Sequence, residues 1–172
     1  MSMREIAIVL LGVGAASCAT PAGPGRCHIA MYMAATDDVN ENTDGSALPT
    51  TVRVFQLKNI DKLKKAGFDD LWLHAKEALG EDVVDMQEIV VYPSDRRMES
   101  LLIKEEATHL ALTAAFRVPT GTTWRTFMHL PPAGTVERCA EDKPGGPYYL
   151  LLSGSSLRAS DRPISIPRKT AQ

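Results

Sequence analysis

Three kinds of side chain carry most of the chemistry this sequence can offer, and their spacing decides how much of it is usable. The cysteines are Cys18, Cys27 and Cys139. No CxxC pair occurs, and His28, His74, His109 and His129 form no HxxxH, so metal-ligand spacing is absent and no metal is expected. Ser153, Ser155 and Ser156 in "SGSSL" offer hydroxyls, but no GxSxG, HExxH or phosphate-loop pattern accompanies them. The carboxylates are densest in "DDVNENTDGSALP", which holds Asp37, Asp38, Glu41 and Asp44. Asp38, Asn40 and Asn42 alternate there as in a calcium loop. Thr43 stands where that loop needs glycine, and Pro49 where it needs a bidentate glutamate. Acid–base catalysis needs groups that converge in space; nothing in the spacing gathers them, and the chain reads as a binding protein rather than an enzyme.

Cys18 is the exception, because its setting has a meaning of its own. It follows the uncharged run "IAIVLLGVGAA" and the small residues Ala15, Ala16 and Ser17. A bilayer-spanning helix needs about 20 apolar residues, and this run is near half that. A short basic start, an apolar stretch of about 7–15 residues and small residues after it make an export signal. Ala15 and Ser17 suit an ordinary signal peptidase. The same stretch resembles a bacterial lipobox, in which the cysteine becomes the lipidated first residue, although Ala15 stands where leucine is usual. Residues 1–17 are therefore read as a signal peptide, 18–26 as a tether rich in Pro and Gly ("ATPAGPG"), and 27–172 as one exported domain. If Cys18 carries lipid, Cys27 and Cys139 remain as a candidate disulfide in an oxidising compartment. Closing so long a loop is worth about 4–5 kcal/mol on chain-entropy grounds; two unpaired thiols are the alternative. A net charge of −2 gives no basic face and argues against nucleic acid.

The elements that must position these residues are mostly strands. "CHIAMYMAAT" suits a strand buried on both faces. "TVRVFQL", rich in β-branched and aromatic residues, reads as the second. A short helix over 59–66 follows, with Gly67 as its stop. Phe68, Leu71, Trp72, Ala75 and Leu79 then make one face of a second helix, with Asp69 as candidate N-cap and Gly80 at its end. Strand patterns return in "MQEIVVYP", "RMESLLI", "HLALTAAF" and "WRTFMHL", separated by turn-forming residues. The segment 131–147 is a second long loop, "YYLLLSGSSLRAS" a last strand or hairpin, and Ile164 with Ile166 a candidate edge strand. Many short strands with regular turns predict a mainly β fold, a β-sandwich with a small helical insertion between its second and third strands.

Several of these pieces occur in the order found in one family: the lipoprotein-type leader, "AATDDVN", "PTTVRVFQLKN", "FDDLW…LGEDVV", "EIVVYP", "LALTAAFRV" and "TWR". From Cys18 to Leu152 the chain resembles the outer-membrane lipoprotein of bacterial type VI secretion, the TssJ family. The resemblance implies a transthyretin-like β-sandwich without enzymatic activity. It implies a covalent lipid on Cys18 that holds the domain at the periplasmic face of the outer membrane; Ala19 is compatible with outer-membrane sorting. It implies binding to the periplasmic C-terminal region of the inner-membrane protein TssM, with TssL in the same complex. The family's partner-binding loop maps onto Asp37, Asp38, Val39, Asn40, Glu41, Asn42, Asp44 and Leu48. The rival readings are an exported carrier with a cavity lined by Met31, Met33, Trp124 and Phe127, and a periplasmic enzyme using His109 and His129.

Overall fold

The strand-forming runs pair into two four-stranded sheets, of order β4-β1-β7-β8 and β3-β2-β5-β6. The computed structural model describes residues 27–135, 138 and 145–166, so Cys18, its tether and Cys139 lie outside the described residues. The strands are β1 (His28–Ala35), β2 (Thr50–Leu57), β3 (Val83–Val91), β4 (Arg96–Leu102), β5 (His109–Ala114), β6 (Arg125–His129), β7 (Gly145–Ser153) and β8 (Ser156–Ser160). Between β2 and β3 lie α1 (Asp61–Lys65), α2 (Phe68–Leu73), α3 (Ala75–Leu79) and a 3₁₀ turn, Gly80–Asp82. All strand neighbours are antiparallel except β1 and β7, which run parallel. The expected sandwich and the place of its helical insertion are both as the sequence implied.

Alternation supplies the core between the sheets. Ile29, Met31 and Met33 of β1 meet Val52 and Val54 of β2 and Leu110 and Leu112 of β5, all essentially inaccessible to water. On the other face of β5, Ala111 and Thr113 are equally buried. The helices cover them, contributing Leu63, Leu71 and Leu79 to the same apolar cluster. The carrier reading loses its lining here: Met31 and Trp124 are packed in the core, and Phe127 points outward, about half exposed.

The helical layer departs from the expected pair of helices. His74 leaves helical geometry, with φ −133° and ψ 34°, and splits the second helix into α2 and α3. The N-cap of α2 is Gly67, not Asp69, and the Gly67 N–H is held by the Asp70 carboxylate at 2.7 Å. Gly80 closes α3 at φ 57°, a conformation open to glycine at little cost.

Helices of five or six residues are unstable alone, and their last carbonyls lack internal partners. Long cations from elsewhere satisfy them. Arg125 of β6 donates to the carbonyls of Leu63, Lys64 and Ala66 at 2.6–2.9 Å. Arg53 of β2 donates to Leu71 and Trp72, holds Glu88 at 2.6 Å and lies over the Trp72 ring. Lys62 reaches the carbonyl of Leu79. Positive charge at a helix C-terminus also complements its dipole. Arg125→Leu is expected to lower stability by about 2–3 kcal/mol, since it leaves carbonyls without donors. Denaturant titration followed by far-UV circular dichroism measures the loss, and Arg125→Lys should recover part of it.

Ile164 and Ile166 form no strand. Residues 161–166 instead run without ladder pairing, and Ile164 and Ile166 lie over the outward face of β1, β4 and β7, beside Tyr32 and Leu151.

Candidate functional site

The segment after β1 carries four carboxylates, Asp37, Asp38, Glu41 and Asp44, and no cation before Leu48. It is built as a folded loop. Its start is tied to β7, where Thr36 N–H donates to Leu152 at 2.9 Å. The Thr36 hydroxyl donates to the Asp38 carboxylate, which explains why Asp38 is only half exposed. Val39 is fully buried in the main core. Its carbonyl accepts from Leu48 N–H across the loop, and Asn42 N–H bonds to Ser46. Gly45, at φ 80°, turns the tip. Asp44 accepts from both the hydroxyl and the N–H of Ser46, at 2.5 and 2.9 Å. Those bonds, the hydroxyl first, hold its carboxyl below the usual range.

Asn40 holds the whole end of the sandwich together. It is 5% exposed and sits at φ 53°, a left-handed conformation that Asn tolerates better than most residues. Its N–H donates to Gly154 in the β7–β8 turn at 2.9 Å. Its side-chain oxygen accepts from Arg117 N–H after β5 at 2.7 Å, and its amide donates to Pro49 at 3.3 Å. Thr36 accepts from Ser94 N–H in the β3–β4 turn. Four connections therefore meet at one pole, opposite the Cys27 end of β1. Exposed apolar side chains flank the loop on two of them, Tyr92 and Val118.

The predicted docking residues thus divide by role. Asp37, Glu41 and Asp44 are exposed, Asp38, Asn42 and Leu48 partly so, while Val39 and Asn40 face inward. "DVN" is a framework that fixes the acidic rim rather than part of the rim itself. Tyr92, Val118 and the anchoring role of Asn40 were not read from the sequence; the tolerance of Asn for left-handed turn geometry was the available signal.

No other cluster of the described residues matches the loop. No group of three or more His, Cys, Asp or Glu side chains is placed to hold a metal among them. His109 and His129 do come together, edge to face at 4.9 Å on β5 and β6. The Thr108 hydroxyl lies 2.8 Å from His109 Nδ1, and Lys64 and Asp61 lie nearby. Burial first, then the neighbouring His129 and Lys64, lower the His109 pKa below its ordinary value. The unfolded chain then binds the proton more readily than the native one, so stability is full above the unfolded pKa, about 6.5, and falls as pH drops through it. Melting temperature is expected to decline below that pH, and His109→Gln should flatten the decline.

Comparison with known proteins matches residues 28–143 to the family model described as Type VI secretion lipoprotein, VasD, EvfM, TssJ, VC_A0113. The chain belongs to this family. The matched stretch runs from the start of β1 past β6 and includes the whole acidic loop. Among solved structures, the T6SS lipoprotein TssJ1 from Pseudomonas aeruginosa shares the fold with a TM-score of 0.65 and 22% identity, over 81% of this chain and 99% of that one. Serratia marcescens Lip, described as a membrane-bound component of the type VI secretion system, gives 0.66 and 21%, over 77% and 96%. A chain in the structure described as "T6SS protein TssM C-terminal domain (869-1107) from EAEC" gives 0.62 and 19%, over 80% and 98%. No curated protein sequence matches the chain. As a type VI secretion lipoprotein the chain belongs to a family of envelope components, not to an enzyme family.

Proposed function

We propose that this lipoprotein is the outer-membrane anchor of the type VI secretion membrane complex. Cys18 carries the lipid. The loop 37–48 docks on the periplasmic C-terminal region of a TssM-like inner-membrane protein, with TssL in the same assembly. The observation that carries this reading is a folded loop whose exposed positions hold Asp37, Glu41 and Asp44, in no ion pair among the described residues, and which Asn40 ties to the β7–β8 turn, to the segment after β5 and to its own end at Pro49. A pre-ordered loop loses little entropy on binding, and its charge calls for a basic surface on the partner. Tyr92 and Val118 beside it supply apolar contact. The TssM description attached to one structural neighbour is consistent with this partner.

Co-purification from cell envelopes tests the reading. Tagged TssM-like protein should retain the wild-type chain and lose it when Glu41→Lys and Asp44→Lys are combined. Unchanged retention in that variant contradicts the docking surface. Cys18→Ser should move the chain out of the membrane fraction.

We also pair Cys27 with Cys139. Cys27 is a disulfide cysteine. Arg138, the residue before Cys139, donates to the carbonyl of Lys104 at 2.7 Å, and the adjacent Ile103 N–H donates to Cys27 at 2.7 Å. Cys27 and Arg138 thus both meet the segment from Ile103 to Lys104 at the end of β4. Peptide mapping without reductant should recover this pair.

A further inference from the structure

The outward face of the β4-β1-β7-β8 sheet differs from the acidic loop in both charge and polarity. Alternation turns Arg96, Met98 and Leu102 of β4, Tyr32 of β1, Tyr149 of β7 and Arg158 of β8 away from the core. Tyr32 is 45% exposed and Met98 55%. The Tyr32 and Tyr149 rings stack at 5.5 Å, and Met98 stands opposite Tyr32. Ile164 and Ile166 wall a groove of about 380 Å³ over these side chains. These four strands contain a single acidic residue, Glu99. It lies on the other alternation and pairs with Arg97 at 2.9 Å. Arg96 and Arg158 are exposed, and no ion pair among the described residues involves them.

A chain of net charge −2 therefore presents one broad face whose four strands offer cations, tyrosines and apolar groups and no outward carboxylate. That combination suits the boundary between anionic headgroups and acyl chains. Tyrosine favours that layer, and each cation near an anionic surface adds to binding. The position of the tether agrees. Cys18 lies nine residues before Cys27, a span of at most about 32 Å, and β1 has eight residues, or about 26 Å. The lipid attached to Cys18 can therefore insert beside any part of this face.

We propose that the outward face of β4, β1 and β7 rests on the phospholipid surface that holds the anchor. Arg96 and Arg158 meet lipid phosphates, and Tyr32, Met98 and the wall formed by Ile164 enter the headgroup–acyl boundary. The domain then lies along the membrane, with the acidic loop at the end of β1 projecting sideways toward its partner. The inference takes its setting from the lipidation of Cys18, but the contacts belong to the folded domain.

Both sheets and the core between them lie within residues 27–166, so a lipid-free chain of residues 19–172 is a fair probe. It should float with vesicles of equal parts phosphatidylethanolamine and phosphatidylglycerol, and not with phosphatidylcholine alone. Added salt should weaken the binding. Arg96→Gln combined with Arg158→Gln should reduce it by at least about tenfold, and Met98→Ser severalfold, without change in melting temperature. Absence of flotation by the folded domain overturns the proposal, as does equal flotation of the arginine variant. Loss of TssM-like binding or of self-association in the arginine variant, with vesicle binding intact, assigns the face to a protein and also overturns it. The intact mass of the envelope-derived chain reads lipidation separately. An unacylated mass with arginine-dependent flotation removes the anchor and leaves the face.

Discussion

Asn40→Ala should lower stability by about 2–4 kcal/mol and weaken partner binding by at least about tenfold. The substitution removes the acceptor for Arg117 N–H and the donor to the Pro49 carbonyl in one step. It also places alanine at φ 53°, where a Cβ without a compensating hydrogen bond is disfavoured. Buried groups left unpaired cost about 1–3 kcal/mol each. The binding loss is indirect: the acidic rim stays in the chain but loses its fixed position, and binding must then order it. A short series separates the causes. Asn40→Gly restores backbone freedom and loses both side-chain bonds, while Asn40→Asp keeps the acceptor and loses only the donor. Asn40→Asp should be the mildest and Asn40→Ala the most severe, measured by chemical denaturation and by titration with the partner domain. Equal effects for all three would contradict the assigned bonds.

Arg138→Met should cost about 2–4 kcal/mol, because buried carbonyls that lose their donor cost about 1–3 kcal/mol each. Arg138 is 4% exposed. Its guanidinium donates to the carbonyls of Pro131, Lys104, Glu105 and Ala107, at 2.7–3.4 Å. Burial lowers its pKa, yet from so high a starting value that it stays charged at neutral pH. It draws the segment after β6 onto the β4–β5 connection, at the pole where Cys27 lies. Methionine matches much of the volume but leaves the carbonyl of Ala107 without its donor and that of Lys104 with Ala107 N–H alone. Arg138→Lys keeps the charge and cannot reproduce the planar fork, so it should fall between the two. Thermal melting and the rate of proteolysis between Pro131 and Gly145 are the readouts.

Much of this architecture was legible in the sequence because alternation and turn residues are local signals. "TVRVFQL", "HLALTAAF" and "WRTFMHL" became β2, β5 and β6 within two residues at either end. The split at His74 was not legible, because Phe68, Leu71, Trp72, Ala75 and Leu79 keep helical spacing across it; Arg53 and Lys62 capping the two halves make the break tolerable. Ile164 and Ile166 carry strand spacing, but their apolar side chains lie over a sheet face instead of joining an edge. Nothing local marks Arg125 and Arg138 as donors to backbone carbonyls, because the carbonyls they serve lie up to some sixty residues away. Gln56 was equally unreadable: it joins the two sheets through Leu102 and Lys104. At the candidate site, the loop and its charge were visible. The division between buried Val39 and Asn40 and exposed Asp37, Glu41 and Asp44 required the fold.

The central claim is that the acidic pole binds the TssM-like partner, and a titration of the two purified domains tests it most directly. Residues 19–172 would be mixed with the partner's periplasmic C-terminal region, beside a variant in which 37–48 is replaced by a short Gly-Ser linker. The account predicts micromolar or tighter binding that weakens with salt and disappears in a variant that still folds. Full binding by that variant, or no binding between two folded domains, would contradict it.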